Sequence, residues 1–338
     1  SLRTHWAAGS TAVGAELRDE YLLSTALGTP LDSTAYRPIP GETGRYYTRQ
    51  ARRTNTAYFL EHRIHTDRWQ IVPGLLLQHN SMVRGGFRLY PGLDMSYRPT
   101  AALRLTASYN YALRLPTFTD LWYKSPTQEG NVNLQPEETH TVQLGAELSL
   151  PALTFSARAH YRRGTHTIDW VMYTPDDRYH ATNFSLDAYG AGMDFSLDLT
   201  HYLGERQPLR HLTLSYAWLG QERRRGPAYY KSNYAFEYLR HKAVVRLSHQ
   251  IYSLLKADWT LRLQQRTGGY LLYKEGKPSD SLVPYGTHAL LDLRLTWETR
   301  PLSLWLDLNN VTATRYYDLG NVPQPGFTLL AGLRWKLK

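Results

Sequence analysis

Hydrophobic and polar residues alternate along this chain with a period of two, over long runs. In 103–115, Leu103, Leu105, Ala107, Tyr109, Tyr111, Leu113 and Leu115 share one face, while Arg104, Thr106, Ser108, Asn110 and Arg114 share the other. In 153–162, Leu153, Phe155, Ala157, Ala159 and Tyr161 oppose Thr154, Ser156, Arg158, His160 and Arg162. The same rhythm sets Trp259, Leu261 and Leu263 against Thr260, Arg262 and Gln264, and Leu291, Leu293 and Leu295 against Asp292, Arg294 and Thr296. Side chains alternate across a strand, so each run predicts a strand with one apolar and one polar face.

About fourteen such strands are predicted, at 10–25, 46–64, 68–79, 87–98, 101–115, 138–150, 153–173, 180–201, 209–220, 238–252, 255–271, 286–299, 301–309 and 326–337. They reach the ~9–11 residues that a tilted strand needs to cross a bilayer, against about five or six for an ordinary strand. Two irregularities stand out. Strand 46–64 has apolar residues at both parities, and Pro73 inside 68–79 marks an edge or a bulge, because proline gives no ladder hydrogen.

The connections alternate in length. Short turns fall at 65–67, 98–100, 150–151, 201–208, 253–254 and 300–301. The opposite end carries 26–45, 116–137, 221–237, 272–285 and 310–325, with two brief members at 80–86 and 174–179. Short turns at one end and longer loops at the other are the rhythm of outer-membrane barrels. The reading is therefore an all-β, transmembrane antiparallel β-barrel. Lipid satisfies no backbone polar group, so a sheet that crosses it must close and lose its edges. Leucine faces would then meet lipid, and the Arg, Asp, Glu, Thr and Asn faces a wet lumen. A soluble two-sheet sandwich or small soluble barrel explains the alternation, but not the strand lengths or the turn rhythm.

Composition sharpens this picture. The 338 residues include 26 Tyr and 9 Trp against 8 Phe, an excess of aromatics with a polar tip. Such residues form girdles at both membrane interfaces. There is no cysteine, which removes disulfides and thiolate metal sites. No apolar run approaches the ~18 residues of a membrane helix. The N-terminus lacks a charged-then-apolar leader, so a signal peptide is expected to be absent or already removed. The formal net charge is +10, from 39 Lys+Arg and 29 Asp+Glu. These cations are spread over polar strand faces and loops such as Arg223-Arg224-Arg225, which suits a lumen lining and a surface facing lipopolysaccharide better than nucleic acid. No nucleic-acid fold signature is present.

Segment 114–122 reads Arg114-Leu-Pro116-Thr117-Phe118-Thr119-Asp120-Leu-Trp122, followed by Gly130-Asn131-Val-Asn133-Leu134-Gln-Pro136-Glu137. Near the end come Asn309-Asn310-Val311-Thr312, Arg315-Tyr316-Tyr317-Asp318 and Pro325-Gly326. In this order the set resembles the C-terminal part of a TonB-dependent outer-membrane receptor. Val132, Asn310 and the terminal Lys338 depart from that pattern. The resemblance implies a 22-stranded barrel around an N-terminal plug, so the chain reads as the C-terminal portion of a longer receptor, opening at a turn at Thr4-His5-Trp6. The plug, and TonB acting through it, would lie upstream, with both ends of this chain periplasmic. The stretch Tyr316 to Gly326 looks most like cobalamin receptors of the Bacteroidetes type. Haem and ferric-siderophore receptors share the other motifs, and a surface lipoprotein cap is a further expected partner.

Arg114, Pro116, Asp120, Pro136 and Glu137 read as structural: the prolines bracket a long loop, and Arg114 and Glu137 would pair across adjacent strands at its base. Substrate contacts are sought among the loop aromatics Tyr36, Tyr46, Tyr47, Trp122, Tyr123, Tyr229, Tyr230, Tyr234, Tyr270, Tyr273, Tyr316 and Tyr317, with Gln128, Asn131, Asn133 and Asn321 as hydrogen-bonding groups. The alternative is an interfacial girdle with loop packing.

No cofactor, metal site or enzyme activity is expected. The 13 His are scattered, with no His-Glu-x-x-His spacing. His180 is the loop histidine considered for haem iron. Asp176-Asp177 is too short for a calcium loop, Gly190-Ala191-Gly192 lacks the third glycine of a nucleotide loop, and no Gly-x-Ser-x-Gly elbow occurs. Two rival readings remain: a complete passive porin of about fourteen strands, and an outer-membrane protease or lipase assembled from distant strands.

Overall fold

The computed structural model describes all residues except 234–236, 275–276, 319, 321 and 337–338, and no side chains within 273–281. Among the described residues, fifteen strands form one continuous wall: β1 Leu2–Trp6, β2 Gly9–Ser24, β3 Arg49–His65, β4 Trp69–Asn80, β5 Arg88–Tyr97, β6 Leu103–Arg114, β7 Glu137–Leu150, β8 Leu153–Met172, β9 Tyr179–Asp198, β10 Leu209–Arg225, β11 Leu239–Tyr252, β12 Leu255–Arg266, β13 Thr287–Glu298, β14 Leu302–Asn309 and β15 Thr328–Trp335. Each pairs antiparallel with its neighbours in sequence. Among the described residues no ladder joins β15 to β1. No described helix is long and apolar enough to cross a membrane, which says nothing of strands.

All fourteen expected strands are present. Corrections concern their ends and one addition. Thr4-His5-Trp6 is not a turn but part of β1, whose partner is β2. Arg223-Arg224-Arg225 lies in the outer end of β10, not in a loop. Tyr46–Tyr47 forms its own short pairing with Arg37–Pro38, so β3 begins only at Arg49. The segment 267–271 leaves the wall, and Gly269–Lys274 pairs instead with Lys277–Pro284. Pro73 pairs with Leu93, while the β3–β4 ladder is interrupted between Gly74 and Ile71, where the missing donor would have faced β3.

The register stacks residue types in rows. Ala107, Leu144, Ala159, Ala191 and Trp218 are mutual neighbours across β6–β10. Toward the long loops comes a row of Tyr109, Val142, Tyr161 and Tyr189. Beyond it lie Tyr111, His140, Arg163, Asp187 and Glu222. Thus one face runs from aliphatic to tyrosine to charge. At the short-turn end the same wall ends in Trp6, Trp69, Tyr252, Trp297 and Trp335, all exposed, with Trp69 stacked on Tyr97 at 4.2 Å. Exposed apolar residues such as Leu17 (73 %) and Leu144 (58 %) therefore form a band between two aromatic girdles. Such a patch is far too extensive for a surface in water, and it is the profile of a wall facing lipid.

The opposite face is held by cross-strand charge pairs: Arg104–Glu147 at 2.7 Å, Arg262–Asp292 at 2.8 Å and Arg294–Asp307 at 3.5 Å. Asn310 closes the wall's last long-loop connection at φ 49°, a left-handed geometry that Asn tolerates. Its amide nitrogen donates to the Thr314 carbonyl at 2.9 Å, and its side-chain oxygen accepts from the Thr314 N–H at 2.9 Å.

Candidate functional site

The long loops carry their own packed structure. After β6 the chain enters a one-turn helix, α1 Phe118–Trp122. Thr117 and Asp120 cap it reciprocally: the Thr117 hydroxyl accepts the Asp120 N–H at 3.0 Å, and the Asp120 carboxylate accepts the Thr117 N–H at 2.9 Å. Leu121 and Leu134 bury against Ile168, Trp170 and Ala181, with Trp122, Tyr123 and Tyr179 packed around them. The Trp170 indole N–H donates to the second Asp120 oxygen at 3.1 Å. Gly130 lies against the α1 backbone so closely that a Cβ would sit 2.9 Å from the Asp120 carbonyl oxygen and 3.0 Å from Trp122 N.

Glu137 anchors the base of this loop. It is opposite Arg114 in the β6–β7 ladder, and its side chain is 8 % exposed. Arg114 lies 3.0 Å from one carboxylate oxygen and Arg162 2.5 Å from the other. Arg114 also donates to the Ile168 carbonyl at 3.2 Å, while the Ile168 N–H donates to Glu137 at 3.3 Å. From β3, Arg53 donates to the Pro116 carbonyl at 2.6 Å and covers the Phe118 ring at 4.7 Å.

The end of β8 explains why these contacts form. Up to Gly164 its pairing with β9 is regular; then the register shifts by Thr167, with His166 at φ 55°. Beyond that bulge, residues 167–172 are all buried, on both faces. Asp169 is fully buried and accepts the Ser232 hydroxyl. Lys231–Ser232 pairs with Val171–Met172, and Gln128–Glu129 runs parallel to Tyr179–His180.

A second cluster adjoins the first. Buried Lys231 lies 3.2 Å from Glu237. Burial raises the Glu237 carboxyl above its ordinary value despite that cation. Tyr285 donates to Glu237 at 3.2 Å and accepts the Gly320 N–H at 2.7 Å. Burial first, and Glu237 second, push its hydroxyl up to about 12. Arg266 reaches Asp318 at 2.9 Å and the Glu237 carbonyl at 3.1 Å. Three aromatic rings gather here: Tyr270 stacks on Tyr317 at 4.6 Å and meets Tyr285 at 5.5 Å with the ring planes tilted by 45°. Tyr316 stacks on His288 at 4.5 Å.

The expected site residues are thus distributed unevenly. Tyr270, Tyr316 and Tyr317 gather in the second cluster. Trp122 and Tyr123 belong to the first, where they pack inward. Tyr229 sits under the Arg223 guanidinium at 5.1 Å, edge-on to Phe184. The Tyr230 hydroxyl is buried and meets no hydrogen-bond partner among the described residues. Gln128 lies in the parallel pairing, and Asn131 accepts the Asn133 N–H at 2.9 Å within a turn. Tyr36, Tyr46 and Tyr47 lie in the β2–β3 loop, outside both clusters. Tyr234, Asn321 and the Tyr273 side chain lie outside the described residues.

His180 has one ring nitrogen 3.0 Å from Asp177. Among the described residues no group of three or more His, Asp or Glu could hold a metal. Trp170, Lys231, Glu237 and Tyr285 escaped the sequence reading. The available signal was the run Ile168-Asp169-Trp170-Val171-Met172, where alternation breaks down. Between the clusters lies a cleft of about 680 Å³ lined by Met172, Asp176, Arg178, Tyr179, Lys231 and Leu271.

Comparison with known proteins decides the family. The model for the TonB-dependent receptor-like β-barrel matches residues 2–311. This chain belongs to the TonB-dependent receptor family. The receptor fold is shared with the copper transporter OprC (TM-score 0.72, 14 % identity, 98 % of this chain and 54 % of that one). It is shared equally with the ferric enterobactin receptor PfeA of Pseudomonas aeruginosa (0.67, 17 %, 96 % and 51 %) and the siderophore receptor PirA of Acinetobacter baumannii (0.67, 13 %, 99 % and 53 %). The chain spans about half the length of these solved receptors. A comparison with curated protein sequences gave no match. As a member of an outer-membrane barrel family, the receptor chain supplies wall strands and long-loop structure.

Proposed function

We propose that this chain is the wall-forming portion of an active outer-membrane importer for a scarce, bulky nutrient. The observation that carries the reading is the aromatic cluster of Tyr270, Tyr285 and Tyr317, with Tyr316 stacked on His288, at the long-loop end of a TonB-dependent receptor wall. Flat rings with polar tips offer apolar contact and hydrogen bonds to a large ligand. In this reading the long loops face outward, the short turns and both chain ends face the periplasm, and the wall encloses a plug on which TonB pulls. Lipopolysaccharide surrounds the outer girdle, and a surface lipoprotein covers the mouth. A corrinoid is the preferred substrate, on the strength of the Tyr316 to Gly326 stretch; ferric siderophore and haem come next. No catalytic role is assigned.

The test is binding of cobalamin, haem and a ferric siderophore to the full-length receptor, with wild type and Tyr270→Ala compared. Saturable binding of one class, weakened about tenfold or more by Tyr270→Ala, which corresponds to about 1.4 kcal/mol, supports the reading. Steady open conductance with no binding would establish the porin instead.

A further inference from the structure

The hairpin between β13 and β14 turns in two residues, Arg300 and Pro301, and the Thr299 N–H closes it on the Leu302 carbonyl at 2.8 Å. The end of β15 returns to the same place, where the Lys336 N–H donates to the Pro301 carbonyl at 2.8 Å. Arg300 and Lys336 thus stand side by side at the short-turn rim. Both are exposed, and neither makes an ion pair or side-chain hydrogen bond with any described residue. Glu298, two residues before Arg300, lies opposite Ser303 on the polar face and pairs with neither cation. Like charges set next to each other repel, and an anion from outside the chain would relieve that repulsion.

Below the two cations the lipid-facing side of the wall is hollow. Leu255, Trp297, Leu304 and Leu333 are register neighbours across β12–β15 and form the row nearest the rim. The next row sinks at Ala331, which lies opposite Leu306 and projects only a methyl group. The hollow holds about 520 Å³, and its lining is aliphatic and aromatic throughout. Trp297 and Trp335, both exposed, stand where it meets the rim. Tryptophan favours that level, between hydrocarbon and headgroups.

We propose that this β12–β15 site holds one anionic phospholipid of the periplasmic leaflet, of the phosphatidylglycerol class. Its acyl chain lies in the hollow and its phosphate between Arg300 and Lys336. The inference rests on the receptor reading for the side of the membrane that the short turns face. Charge complementarity chooses the occupant. A zwitterionic lipid offsets its phosphate with its own ammonium. A soluble anion uses the cations and leaves the hollow without a role. A second copy of the chain, meeting this face about a two-fold axis, would bring four cations together.

The experiment is native mass spectrometry of the full-length receptor, folded in detergent and offered phosphatidylglycerol, phosphatidylethanolamine of the same chains, or lipid A. Heat-modifiable gel mobility checks that each variant has folded. Wild type is expected to retain one phosphatidylglycerol at least tenfold more tightly than phosphatidylethanolamine. Arg300→Gln/Lys336→Gln should lose that preference. Ala331→Leu fills the hollow and should weaken phosphatidylglycerol about tenfold. Arg334→Gln, which removes a cation from the polar face of β15 opposite Ser303, should change nothing. Equal retention of the two phospholipids by wild type overturns the proposal, and so does wild-type retention in the folded double variant or in Ala331→Leu. Should the double variant fail to fold, single Arg300→Gln decides in the same way. A dimer present in wild type and lost in Ala331→Leu assigns the hollow to a second copy and also overturns it. Preference for lipid A over phosphatidylglycerol would overturn the inference and the receptor reading's orientation together, whereas indifference to all three lipids overturns the inference alone.

Discussion

The indole N–H of Trp170 donates to Asp120 across 3.1 Å, joining residues 50 positions apart. Asp120 is at once the acidic half of the α1 cap and the acceptor for the β8 segment beyond the bulge, which stays paired with β9. One carboxylate therefore fixes both the fold of the β6–β7 loop and its seat on β8. Trp170→Phe keeps the ring and removes the donor. The expected loss is roughly 1–3 kcal/mol in local opening free energy. Faster amide exchange in 117–134, with wall strands unchanged, is the readout; uniform exchange across the protein would contradict this local role.

Gly130 is required by proximity. An alanine there would press on three backbone atoms of α1 at 2.9–3.0 Å, none of which belongs to a flexible side chain. Gly130→Ala is expected to cost roughly 1–3 kcal/mol as overpacking. Limited proteolysis should then cut within 115–136 while the wall keeps its heat-modifiable mobility.

Arg114 and Arg162 share Glu137, so removing Arg114 leaves a buried carboxylate with half its cationic support. Arg114→Ala is expected to reduce folded yield in the membrane, with the ligand affinity of the folded fraction little changed. Lysine restores charge but not the second donor to Ile168, so Arg114→Lys should recover only part of the yield. Normal assembly with abolished binding would reverse this assignment.

Two carboxylates in the loops predict acid sensitivity. The Lys124 ammonium holds Glu129 below its ordinary value, and His180 does the same for Asp177. A group whose folded pKa is depressed contributes stability above its unfolded pKa, and that contribution is lost as pH falls through the folded value. The strap 124–129 and the β8–β9 loop are therefore expected to loosen below the ordinary carboxylate range. Amide exchange corrected for intrinsic rates should rise there first.

Much of the wall was legible in the sequence because its physics is local. Alternation in 153–162 requires only that one face meet lipid and the other water, and every strand read this way exists. The Arg114–Glu137 pairing was legible for a similar reason, since a cation and an anion flank one loop on adjacent strands. The loop aromatics were legible only as candidates. Tyr270 and Tyr317 are 47 positions apart, and nothing in either neighbourhood states that they stack. Trp170 was hidden because it looks like one more strand residue until the bulge at His166 turns both faces of β8 inward.

Fourteen of the fifteen wall strands and the end carrying the long loops were legible in the chain itself, because period-two patterning and turn placement act between near neighbours; the family was legible separately, in the ordered motifs of 114–137 and 309–326. Only the tertiary structure decided which loops touch, because those contacts depend on register. Beyond a bulge at Gly164–Thr167 the end of β8, still paired with β9, is buried on both faces, which brings Trp170 to Asp120 and Asp169 to Ser232.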